Sequence, residues 1–136
     1  MKPVDQTDFG PETGNCFAAS IASIMEIPLA DVPNLDPNNW FDEFNKWLYD
    51  YGYFAMYFSN LRNKADRDEL EHITNNVICE ASVESPRFPG VMHSVVFHKG
   101  AVIHDPHPDK TSMSAKLEDL RSLIVFVDIN PIYRKR

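Results

Sequence analysis

HSVVFHKGAVIHDPHP, residues 93–108, carries two β-rich runs on either side of His98-Lys99-Gly100. Val95, Val96 and Phe97 before the turn, and Ala101, Val102 and Ile103 after it, have strand composition, so the stretch is a hairpin. A three-residue loop, a type I turn closed by a left-handed residue, sets Gly100 where positive φ is needed. Phe97 then faces Ala101, and His93 stands directly across from Asp105. Directly opposed Cβ atoms lie about 4.5–5.5 Å apart, close enough for an imidazole to meet a carboxylate. A two-residue Lys99-Gly100 loop would instead send His93 and Asp105 to opposite faces. Asp105 and His107 each precede a proline, which biases both backbones toward extended conformations and stiffens this end of the hairpin.

Outward from the hairpin, NVICEAS (76–82) and LIVFVDI (123–129) are further strand runs, and SAKLEDLR (114–121) reads as a short helix. The first half has a different character. Residues 1–14 read as a loop, 15–26 as a slim, mostly buried helix stopped by Pro28, and PLADVPNL as a helical turn leading into loop. Trp40, Phe41, Phe44, Trp47, Leu48 and Tyr51 recur at helical spacing between Asn39, a suitable cap, and Gly52. That aromatic face reads as core. YFAMYF (53–58) is a strand, and the charged residues 60–72 are a solvent-facing helix or a loop. The expected fold is α+β, a single domain over 1–136, with N-terminal helices on one face of a C-terminal antiparallel sheet and a cleft where the halves meet.

The 136 residues carry a net charge of −7, which argues against nucleic acid as the main partner. The basic end YRKR, Tyr133–Arg136, reads as a solvated tail. Two cysteines, Cys16 and Cys79, are too few for a disulfide scaffold. MKPVDQTDFGPETG has no apolar signal core, and no run approaches the roughly 18 apolar residues of a membrane span. The expectation is a soluble, reduced, cytoplasmic protein with neither membrane nor cofactor.

Cys16 sits in GPETGNCFAASIASIM, residues 10–25, where a glycine-containing loop gives way to a helix. Unpaired N–H groups and the positive end of the macrodipole stabilise a thiolate there. A histidine beside it would shuttle the proton, and an aspartate behind the histidine would fix its tautomer. Cys16, His93 and Asp105 supply those roles. Taken alone, Cys16 reads as a small buried hydrophobe, and Cys79, inside an apolar strand, reads as core. The chemical rival is a metal site at His93, His104 and His107, with Asp105 a fourth possible ligand. Strand alternation sets His104 and Asp105 on opposite faces, so no metal is expected. Arg87, in ESPRFPG, either grips an acidic substrate group or makes a structural ion pair at the cleft wall, and His104 and His107 are candidates for the cleft rim.

GNCFAASIASIMEIPLADVP together with HSVVFHKGAVIHDPHP resembles the papain-like cysteine peptidase superfamily, in particular small bacterial and phage proteins akin to bacteriocin-processing peptidases and cell-wall amidases. The resemblance covers about 15–35 and 85–108. It implies a papain-like fold with Cys16 as nucleophile, His93 as general base and acid, and Asp105 as its orienter. It also implies an upstream glutamine whose amide, with the backbone N–H of Cys16, forms the oxyanion hole. Gln6 is the only glutamine, and TDFGPETG must loop out for it to reach; Asn15 is the alternative donor. The implied function is a thiol hydrolase cleaving a peptide, isopeptide or other amide through an acyl-enzyme, with a peptide or protein substrate as partner; acyl transfer to an amine or thiol would use the same residues. The alternative is a catalytically silent papain-like module that binds a protein, such as a phage protein blocking a host factor.

Overall fold

The computed structural model describes residues 1–129 except 13, 60 and 62; the YRKR end lies outside the described residues. The small-residue run after Asn15 forms α1, Cys16–Met25, and left-handed Glu26 closes it ahead of Pro28. The aromatic heptad-like stretch forms α2, Trp40–Tyr49, burying Phe44 and Leu48. Strand β1, Tyr53–Phe58, follows. The charged segment is a true helix, α3, Lys64–Asn76, capped by the Asn63 side chain, which accepts the Asp66 backbone N–H. Strands β2 (Cys79–Glu84), β3 (Met92–His98), β4 (Ala101–His104) and β5 (Ser122–Asp128) complete an antiparallel sheet ordered β1-β5-β2-β3-β4. The 114–121 segment holds no α-helix: two 3-10 turns, Thr111–Ser114 and Leu117–Asp119, stand there instead.

The fold is α+β, with three α-helices among the described residues and a five-stranded antiparallel sheet. Helices cover both faces rather than one. Ile21, Ala22, Phe44 and Leu48 pack with Ala55 and Ile124 on one side. On the other, Leu70 of α3 packs with Cys79, Ala81, Val95, Phe97 and Leu123. The strict alternation along β2 and β5 explains this, because neighbouring residues face opposite sides and both sets are buried. α3 is the solvent-facing helix of the two readings, with Asp68, Glu71, His72, Asn75 and Asn76 exposed, while Leu70 and Ile73 on its inner side reach that second core.

The hairpin register differs from the one expected. Lys99 and Gly100 alone form the turn, both at positive φ (53° and 77°), and His98 pairs with Ala101. Two left-handed central residues match the twist of the flanking strands. The α3 carbonyl of Thr74 accepts the Lys99 N–H at 2.9 Å, holding the less favourable lysine in place. A bulge between Val96 and Phe97 then shifts the ladder by one, so Val96 pairs with His104. That shift restores the parity the turn had removed. His93 and Asp105 share a side after all, as diagonal rather than directly opposed neighbours, a spacing long side chains still span. No helix among the described residues is long and apolar enough to cross a membrane.

Candidate active site

Cys16 is the first residue of α1, where the backbone N–H groups lack intrahelical acceptors. Its Sγ accepts the backbone N–H of Ser94 at 3.5 Å, which ties the helix start to β3. His93, one residue earlier, lies between the sulfur and a carboxylate. Its Nε2 is 2.7 Å from Asp105 Oδ1, and its ring also hydrogen-bonds the Cys16 side chain. With Nε2 engaged by the aspartate, Nδ1 is the nitrogen left for the thiol. Burial pushes the imidazole pKa down, but hydrogen bonds to Asp105 and Cys16, together with their charge, outweigh it and lift His93 to about 9.

Asp105 is fully buried and tightly held. Oδ1 also accepts the His107 backbone N–H at 3.0 Å, and Oδ2 accepts that of Ser112 at 2.9 Å. Burial raises a carboxyl pKa, yet His93 and these two backbone donors hold Asp105 below its ordinary value. Ser112 was invisible as a partner in the sequence, since backbone N–H donors carry no residue signature.

Gln6 is buried and lines a cleft of about 90 Å³ with Cys16, His93 and His107. The described residues of TDFGPETG, all but the one at position 13, loop out. Asn15 Oδ1 accepts the N–H groups of Thr7 and Asp8 at 2.9 and 3.0 Å, the Asn15 N–H reaches Asp8 O, and the Gly14 N–H reaches Gly10 O. The insert is closed at its base, so Gln6 and Cys16, ten positions apart in sequence, line one cleft. The Gln6 N–H donates to Pro106 O at 3.0 Å, mooring Gln6 beside Asp105. Its Nε2 donates to Asp8 O at 2.9 Å, while Oε1 is buried without a partner among the described residues. A primary amide carries two N–H donors, so one remains after the bond to Asp8.

Two expectations are corrected. Asn15 occupies the N-cap position but makes no capping bond; its carboxamide holds Thr7 and Asp8, and it lines a neighbouring cavity rather than the Cys16 cleft. His104 is not at the rim: its Nε2 lies 2.8 Å from Val4 O, and it is buried under the N-terminal segment. His107 does line the cleft, with Phe9 against its ring at 5.1 Å. Arg87 lines the cleft too, but its Nη1 donates to both oxygens of Asp109, at 3.1 and 2.9 Å, and to Thr111. The structural ion pair is therefore made. Hydrogen bonds from Thr111, then the Arg87 and His107 charges, hold Asp109 well below the usual carboxylate range.

Both cysteines are free, and burial pushes the Cys79 thiol up to about 12. Among the described residues no cluster of three or more His, Cys, Asp and Glu side chains is arranged to hold a metal. Asp105, the Val4 carbonyl and the Asp109 N–H each engage one ring nitrogen of His93, His104 and His107. The residue sequence reasoning passed over is Glu80, the one charge within NVICEAS, which is buried on the central strand β2. A lone acid in an otherwise apolar strand was the available signal.

Comparison with protein-family models, with curated proteins and with solved structures gave no match to this chain.

Proposed function

We propose that the chain is a papain-like thiol hydrolase acting on a peptide, isopeptide or other amide. The observation that carries this is His93, bonded to the Cys16 side chain on one side and 2.7 Å from a buried aspartate on the other. A buried aspartate with two backbone donors is an orienter with one rotamer and one charge state, which is what a nucleophile–base pair requires. Gln6 in the same cleft supports the reading, since its free amide N–H and the backbone N–H of Cys16 supply two donors for an oxyanion.

The chemistry follows from these groups. The Cys16 sulfur attacks the amide carbon while His93 holds the thiol proton, and the carbonyl oxygen takes the negative charge between the two donors. The C–N bond breaks as His93 passes that proton to the leaving amine. Water then attacks the thioester, giving its proton to His93, and the acid leaves as the thiol is restored. The net reaction consumes one amide and one water and yields a carboxylic acid and an amine.

The test is labelling by a cysteine-reactive activity probe alongside Cys16→Ala. Labelling is expected to vanish in that variant, and Cys16 is expected to react with iodoacetamide at pH 6 faster than an ordinary exposed cysteine. Labelling that persists in Cys16→Ala, or alkylation no faster than the reference thiol, overturns the proposal and favours a silent binding module.

A further inference from the structure

A second cavity, of about 480 Å³, lies on the other side of the α1 start from the Cys16 cleft. The two share Gly14, and Asn15, Phe17 and Ala18 on either side of Cys16 line the larger one. Its floor is a patch of two strands in which Glu80 pairs with Ile124 and Ser82 with Ser122. Phe17, Trp40 and Tyr57 form aromatic walls. The volume falls in the roughly 300–1,000 Å³ range of small-ligand pockets.

Glu80 is the unusual group in this floor. It is 1% exposed, at the middle of the sheet. Ser94 Oγ donates to its Oε2 at 2.6 Å, and among the described residues no donor reaches Oε1 and no lysine, arginine or histidine pairs with it. A buried carboxylate without a cation is costly, so proteins pair such groups or use them. Burial lifts its pKa to about 7, which marks the missing counter-charge. The described lining residues include a second acid, the exposed Glu12, and no basic residue. Aromatic faces add attraction for a cation, and serine hydroxyls accept its hydrogen bonds.

We infer that this cavity is a subsite for a cationic side chain of the substrate, an ammonium or guanidinium that seats on Glu80 between Trp40 and Tyr57 while its chain leads past Gly14 to Cys16. The inference rests on the hydrolase reading for its use but not for its detection, because binding is measurable without turnover. An ammonium entering the cavity completes the ion pair that the protein leaves open, and a neutral chain of the same length does not.

The experiment titrates Nα-acetyl-lysine N-methylamide and its norleucine counterpart into Cys16→Ala at pH 8 by calorimetry, with Glu80→Gln and Tyr57→Leu made in the same background. The lysine compound is expected to bind at least about tenfold tighter than the norleucine compound, and Glu80→Gln to remove that preference. Tyr57→Leu, at a half-exposed wall position and with its fold checked by a melting curve, is expected to weaken the lysine compound and leave the norleucine compound unchanged. Equal binding of the two compounds, no binding of either, or a preference that survives Glu80→Gln overturns the inference. Lysine binding by Cys16→Ala alongside a wild-type chain that no activity probe labels leaves the cation site standing and removes the hydrolase reading.

Discussion

At the residue scale, the site depends on which atoms are already spent. Asn15 and Gln6 are both amides upstream of the helix, and sequence alone does not separate them. The structure does, because the Asn15 carboxamide clamps Thr7 and Asp8 whereas Gln6 faces the Cys16 cleft. Gln6→Ala is therefore expected to lower kcat by ~10²–10³, with Asn15→Ala acting through thermal stability instead; steady-state kinetics and melting curves separate the two. Asp105 acts through His93. Its carboxylate is one of the groups that lift His93 to about 9, so Asp105→Asn is expected to bring that pKa down, read from the imidazole proton shifts in an NMR titration. An unchanged His93 titration would show that the pair seen at 2.7 Å does not couple in solution.

Elements place these residues through contacts of long sequence separation. HDPHP anchors three things at once: His104 holds Val4, Asp105 holds His93, and Pro106 O holds the Gln6 N–H. Lys110 adds a fourth tie, donating to Asp105 O at 2.6 Å and to Asp5 at 2.9 Å. The insert that carries Gln6 to the cleft closes on Gly14, and a Cβ there would lie 2.5 Å from Gly10 O. Gly14→Ala must open that loop, so activity is expected to fall while the melting temperature barely moves, since the insert is largely exposed. If the proposed hydrolysis is retained in full by Gly14→Ala, Gln6 is positioned by Pro106 alone. The hairpin was legible as a hairpin, and the two-residue register was visible as the less favoured option. What tipped the balance was the Thr74 carbonyl on Lys99 and a bulge beyond the turn, neither of which has a local sequence mark.

At the scale of the whole molecule, the shifted groups predict how stability varies with pH. Glu80 goes from 4.5 to about 7 on folding, so the fold binds a proton the unfolded chain has lost, and stability falls as pH rises between those values. His93 goes from 6.5 to about 9; its contribution is complete below about pH 6.5 and is lost as pH rises through about 9. Asp105 and Asp109 are lowered, so their contribution is present above about pH 4 and lost as pH falls further. Thermal melting is expected to peak near pH 4–5. Glu80→Gln is expected to melt higher than the wild type at pH 8 and to match it near pH 5, because only the ionised carboxylate is costly; equal curves at pH 8 would mean that Glu80 finds its charge partner within the chain. Read from sequence, α1, α2, the strands and the antiparallel hairpin are legible and Cys16, His93 and Asp105 stand out as candidates, because periodicity, turn chemistry and residue type are local; the helix read over 114–121 is not there and α3 was one of two options. It took the folded chain to put helices on both sheet faces, to line the cleft with Gln6 and not Asn15, to make His104 a tether, and to set Glu80 against a cavity with no basic partner among the described residues. Those outcomes depend on which backbone carbonyls and N–H groups meet across as many as a hundred residues, and backbone atoms are the same at every position of the sequence.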